Sequence, residues 1–234
     1  PANAIEVAPG VFSLGNAVVD GQVLEGYAFI HNKNEFAKPS WAGSGKKDST
    51  SSCYGFLSKG AKWKTLEPWI VNPANIRRLD GIFILTNLGT DIAKWETVAG
   101  KNILGTGSIT SDILVADTVS PDNKNEVYFA DVAYSGAIAV TIVWGRFSGP
   151  ISQRYLVEWD QVYDDVDFDW GIGEPTKMDF ENIATHELGH SVGMNDLYTT
   201  ACAQQTMYGY ATNGETKKST LEAGDITGIK KLYA

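Results

Sequence analysis

Apolar and polar positions along this chain recur with two periods, and the change between them marks its elements. Over residues 79–98 the apolar side chains Leu85, Leu88, Ile92 and Trp95 return at 3–4–3 spacing, which is one face of a helix. Gly81 and Gly89 weaken that helix without cancelling it. Short apolar, β-branched runs predict strands at Pro68-Trp69-Ile70-Val71, closed by Asn72-Pro73, and at residues 103–113, 126–133, 137–144 and 154–162. The run 137–144 has two readings, a buried core strand or an edge strand that pairs with an extended peptide. A further helix is predicted over residues 178–192. It is announced by Pro175-Thr176, with Asp179 and Glu181 placing acid in the first turn.

Residues 1–60 have another texture, rich in Gly, Ser, Lys and Asn with short apolar stretches such as Gly26-Tyr27-Ala28-Phe29-Ile30. The small, polar run 39–52 reads as a loop. Residues 1–62 are therefore expected to be an N-terminal extension of unknown role, containing a hairpin and little core of its own.

Length and composition narrow the class. A chain of 234 residues with 43% hydrophobic residues and seven Trp can bury the core of one large domain. Its net charge of −9 repels phosphate backbones, so no nucleic-acid partner is expected. No apolar run approaches the roughly 18 residues that cross a bilayer, so no membrane partner is expected either. The opening Pro1-Ala2-Asn3-Ala4 has neither a basic start nor an apolar core, and the expectation is a processed, secreted chain. Cys53 and Cys202 are then expected to pair, the alternative being two unrelated buried thiols. The acidic stretch 160–169, with Asp164, Asp165, Asp167 and Asp169, offers hard oxygen ligands for calcium but reads more simply as a solvated loop.

The chemistry concentrates on the helix at 178–192. His186 and His190 lie four residues apart, on one helical face, so both imidazoles can reach one ion. Glu187, one residue on from His186, points beside that ion and can take a proton from water. Only three His occur in the chain, and two are here. Gly193 can adopt a left-handed turn that ends the helix, and Asp196 follows with a carboxylate. Three protein ligands leave a fourth position open, which is the arrangement of a catalytic zinc site.

His186-Glu187-x-x-His190-x-x-Gly193-x-x-Asp196 followed by Thr206-Met207-Tyr208 resembles the metzincin metalloproteases, and within them the matrixin-like branch in a microbial form. The family pattern has a third His where this chain has Asp196. The end of the chain, from Thr220 as N-cap and Glu222 in the first turn through Ile226, Ile229 and Tyr233, is similar to the closing helix of matrixin-like catalytic domains. The resemblance implies an α+β fold: a twisted mixed sheet, a backing helix, an active-site helix and a small C-terminal lobe ending in a helix. It places the catalytic domain at 63–234, with an upper lobe 63–193 and a lower lobe 194–234.

The resemblance also implies a zinc endopeptidase with one catalytic Zn2+ on His186, His190 and Asp196, a Glu187 general base and a Met-turn at Met207. An extended protein or peptide substrate would pair with the strand 137–144, at Ala139, Val140 and Thr141, and Tyr208 and Tyr210 would line a pocket. A monomer is expected. Three alternatives stay open. The third ligand can come from Glu215 or Glu222. The chain can be latent, with Cys53 on the zinc. It can also be a non-catalytic zinc-binding module.

Overall fold

The computed structural model describes residues 4–34 and 53–234; the loop expected at 39–52 lies outside them. The strands are β1 (Ile5–Ala8), β2 (Val11–Val19), β3 (Gln22–Lys33), β4 (Trp69–Val71), β5 (Gly107–Ile109), β6 (Asn125–Ala130), β7 (Ala137–Arg146), β8 (Tyr155–Asp164), β9 (Trp170–Gly171), β10 (Met178–Asp179) and β11 (Tyr210–Ala211). The helices are α1 (Gly81–Ala99), α2 (Phe180–Ser191) and α3 (Ala223–Tyr233). The molecule is α+β and metzincin-like. One mixed sheet runs in the order β1-β2-β3-β7-β8-β6-β4-β5, and β11 pairs with the end of β3. The block β8-β6-β4-β5 is parallel, whereas β2-β3-β7-β8 is antiparallel.

α1 forms where its apolar stripe predicted. Asp80 caps it by accepting from the Phe83 amide, and Gly100 ends it at a φ of 67°. Its buried face holds Ile84, Leu88, Ile92 and Trp95, while Leu85 is only half-buried. α2 is capped by Asp179, whose carboxylate accepts from the Asn182 amide; Pro175-Thr176 lies upstream of the helix. α3 is capped at Glu222 rather than Thr220, because Glu222 and Asp225 form a reciprocal capping box. Strand β5 covers only three residues of the run 103–113. Ile103 and Leu104 are buried without strand pairing, and Ile113 is almost fully exposed.

The large core lies between the sheet and α1 and α2. It is built on Trp69, Trp95, Trp159, Tyr163, Trp170 and Phe180, each worth about 1.5–3 kcal/mol on burial. Trp95 and Trp63 also anchor α2 by donating their indole N–H groups to the carbonyls of Thr185 and Ser191. A smaller cluster of Ala17, Leu24, Ala28, Ile142 and Trp144 covers the opposite face of β2, β3 and β7.

The N-terminal segment, an extension by its texture, contributes β1, β2 and β3 to the main sheet. β2 and β3 join through Asp20-Gly21, both at positive φ, with Val19 opposite Gln22. β3 then pairs along β7 from Glu25–Gly145 to Asn32–Ala137. This corrects the edge reading of β7. One side of it is taken by β3 and the other by β8, so Ala139, Val140 and Thr141 lie opposite His31, Ile30 and Phe29. The physical reason is the hairpin itself, which brings in a strand that the composition of residues 1–60 had concealed. Among the described residues no helix is long and apolar enough to cross a membrane.

Candidate active site

Helix α2 carries His186, Glu187 and His190, all without exposed surface. The two imidazoles are oriented from behind. His186 Nδ1–H donates to the Thr206 carbonyl at 2.7 Å, and His190 Nδ1–H donates to the Met194 carbonyl at 3.1 Å. A carbonyl only accepts, so in the neutral rings the Nε2 lone pairs point away, into the site. Gly193 then turns the chain at a φ of 104°, which is the left-handed region where a side chain is strained. The turn is closed by the amide of Met194 on the Gly189 carbonyl at 2.8 Å. It returns Asp196 to the two His. Asp196 Oδ1 stands 3.2 Å from His186 Nε2 and 3.5 Å from His190 Nε2, while its Oδ2 accepts from the Tyr198 hydroxyl at 2.9 Å.

His186 Nε2, His190 Nε2 and Asp196 Oδ1 are buried and have no hydrogen-bond partner. Orphaned buried acceptors are costly, which makes three of them facing one point a request for a cation. Ligands about 2.0–2.1 Å from a tetrahedral zinc stand about 3.3 Å apart, close to the 3.2 and 3.5 Å that separate Asp196 Oδ1 from the two Nε2 atoms. The chemistry of the set, two imidazoles and a carboxylate, also suits zinc. Burial alone would push the Asp196 carboxyl up, but the His190 and His186 rings hold it well below the usual range. Burial would push His190 down, and Asp196 overrides that and raises it.

Glu187 faces the sheet side of the same site. Its Oε2 accepts from Thr141 Oγ1 at 2.5 Å, and its Oε1 accepts from His31 Nδ1 at 3.1 Å. Burial raises its pKa, against the pull of His186, His190 and the Thr141 hydroxyl. Thr141 thus enters through its side chain rather than through its backbone. Met207 is buried beneath the helix. A Cβ at Gly189 would meet Met207 Sδ at 2.2 Å and Trp95 at 2.8 Å, so the helix can pass this close only with glycine there. Asp225 on α3 accepts from the amides of Thr206 at 2.8 Å and Met207 at 3.3 Å, fixing the carbonyl that orients His186.

Tyr208 and Tyr210 are half-buried, and the Tyr210 ring packs between Tyr198 and Tyr208. Among the described residues, Glu215 and Glu222 are not in the cluster that holds His186, His190 and Asp196. Glu215 instead pairs with the buried Lys218, and Glu222 caps α3. Cys53 and Cys202 form a disulfide, so neither sulfur is a free thiolate for a metal. Sequence reasoning missed His31, Tyr198, Asp225 and the side-chain role of Thr141. His31 alone carried a signal, as the one His of three outside the motif.

The acidic stretch, read most simply as a solvated loop, is only half solvated: Asp164 and Asp165 are buried, and Asp167 and Asp169 are exposed. Asp164 accepts from the amides of Val132, Val166 and Asp167, Asp165 accepts from the Ile76 amide, and Asp169 pairs with Arg77. They are turn caps. A separate trio, Asp117, Glu158 and Asp160, can hold a cation. Burial first, then Asp160 and Asp117, push Glu158 up to about 9, and Oε1 of Glu158 has no partner. A carboxyl raised in the folded state stabilises below its ordinary pKa of 4.5, and that stability is lost as pH rises toward 9. Glu158→Gln is therefore expected to stabilise the chain by about 1–2 kcal/mol at pH 8 and by nothing at pH 4. Thermal melts in chelator at both pH values check this, and equal melting temperatures of parent and variant at pH 8 refute it.

Comparison with known proteins bears on this part of the chain. A family model described as matrixin matches residues 151–234, which include α2, the Gly193 turn, Met207 and α3. Matrilysin of Homo sapiens is 39% identical over 69 residues, covering 30% of this chain and 25% of that protein. Matrilysin of Rattus norvegicus is 36% identical over 69 residues, with the same coverage. The match thus spans a quarter of the length of each relative.

Proposed function

We propose, from the premise that the segment carrying the site is matrixin-like, that this chain is a zinc-dependent endopeptidase acting on extended polypeptides. The observation that carries the reading is the set of three partnerless buried atoms, on His186, His190 and Asp196, beside a carboxylate on the same helix. Zinc held there would supply a Lewis acid for the scissile carbonyl and would lower the pKa of a water. The chain's residues do the rest. Thr206 and Met194 fix the imidazole tautomers through their carbonyls. Tyr198 holds the second oxygen of Asp196, leaving the first for the ion. Glu187 takes the water proton and hands it to the leaving amine. The Cys53–Cys202 bridge supports a secreted protein in an oxidising compartment.

The test is metal content beside hydrolysis of denatured casein. One zinc per chain is expected, with hydrolysis lost on chelation and restored by zinc. Asp196→Ala is expected to weaken zinc binding on the order of 100-fold or more, since even outer-shell partners are worth 10- to 100-fold. Zinc affinity unchanged in Asp196→Ala would remove Asp196 from the ligand set, and a parent chain that binds no zinc would end the reading.

A further inference from the structure

β3 lies where an extended substrate would have to lie. It fills the side of β7 that β8 leaves free, and its last residues, Asn32 and Lys33, pair with Tyr210 and Ala211 of β11 on the far side. The strand therefore bridges β7 and the segment after Met207, directly over α2. Alternation along β3 turns Phe29 and His31 toward that helix. The Phe29 ring stacks on His190 at 4.6 Å, and the His31 ring lies 3.8 Å from His186. His31 has no exposed surface, and its Nδ1 holds the carboxylate that serves as base. Its Nε2 is a further buried atom without a partner. His186, Glu187, His190 and the metal-facing oxygen of Asp196 have no exposed surface, and Phe29 and His31 of this strand pack on two of them.

We propose that the β2–β3 hairpin is a built-in inhibitor: β3 occupies the substrate strand position on β7, and His31 engages Glu187. The inference rests on the peptidase reading of the site. Its partner is a segment of the same chain, and an incoming polypeptide must displace β3 before it can pair with β7.

Gly26 gives a handle outside the catalytic groups. A Cβ there would meet the buried Trp144 ring at 2.6 Å across the β3–β7 pair. Gly26→Ile therefore wedges β3 away from β7, and His31→Ala releases Glu187 without a wedge. Two readouts are taken on zinc-loaded chains: the rate at which a chelator removes the metal, and hydrolysis of a fluorogenic peptide. The parent is expected to be slow in both. Gly26→Ile is expected to speed both at least tenfold, and His31→Ala to raise hydrolysis several-fold. Where Gly26→Ile does not fold, His31→Ala still decides by whether hydrolysis rises or falls.

The proposal is overturned if the parent hydrolyses peptide within a factor of two of both variants. It is equally overturned if Gly26→Ile loses metal faster yet gains no activity, or if His31→Ala lowers hydrolysis, which would make His31 a positioning residue of the working enzyme. A chain that binds no zinc, or whose opened form keeps its activity when Glu187 is removed, would instead overturn the peptidase reading.

Discussion

Glu187→Ala is expected to lower kcat/KM for peptide hydrolysis by about 10²- to 10⁴-fold, the range of a general base, with zinc retained. That loss corresponds to about 3–5 kcal/mol of transition-state stabilisation. The separation of the two effects follows from position. Glu187 shares α2 with His186 and His190, yet its oxygens are held by Thr141 and His31, and it groups with His31 and His186 rather than with His190 and Asp196. Removing it is expected to take away a proton acceptor and to leave His186, His190 and Asp196 in place. Glu187→Gln is the sharper control, because the amide keeps the shape and still accepts one hydrogen bond but cannot take a proton. Both variants are measured in the parent chain and in Gly26→Ile, with zinc analysis and a thermal melt for each. Activity retained within tenfold, with zinc bound, would assign the proton transfer to another group. Loss of zinc together with activity would make Glu187 part of the metal site itself.

The half of the site that lies on one helix was legible in the sequence because helical geometry is local. His186 and His190 at four-residue spacing must share a face, and Gly193 at the end of the helix must turn. Asp196 was within reach of such a turn, and the structure places its oxygen between the two imidazoles. What supports these groups was not legible, because it comes from far along the chain. Asp225 acts 19 residues from Thr206, and Thr141 acts 46 residues from Glu187. His31 acts from 156 residues away, and nothing local marks it. One local signal did exist. Asp20-Gly21 between apolar runs is a two-residue hairpin turn. The hairpin expected within residues 1–62 is there, and reading this turn would have placed it at β2 and β3 and shown a strand in need of a neighbour. The edge reading of β7 failed for the same reason: a strand's neighbours are a property of the whole sheet, and 137–144 is equally apolar whether one side is free or both are filled.

Removing the disulfide is expected to have the largest effect on stability. Cys53 and Cys202 are 149 residues apart, and closing so long a loop is worth about 5 kcal/mol in the chain-entropy account, with measured losses more often 2–5. The double variant Cys53→Ser, Cys202→Ser is thus expected to melt on the order of 10 °C lower. The bridge ties together three parts that carry the site. Cys53 begins the segment laid on α3, where Gly224 and Gly228 leave room for the Cys53 backbone and the Tyr54 ring. Cys202 leads into Gln205, which accepts from the Gly224 amide at 2.7 Å, and then into Thr206 and Met207. Loosening these contacts frees the Thr206 carbonyl that orients His186, so a weaker hold on zinc is expected beside the lower melting temperature. The same experiment separates the bridge from a thiol switch. Were Cys53 an inhibitory ligand, Cys53→Ser alone would raise hydrolysis and leave the melt unchanged. A structural bridge gives the opposite pair of results, a lower melt and no gain in hydrolysis. Inhibition in this chain is then left to the strand that lies over the helix, not to a sulfur.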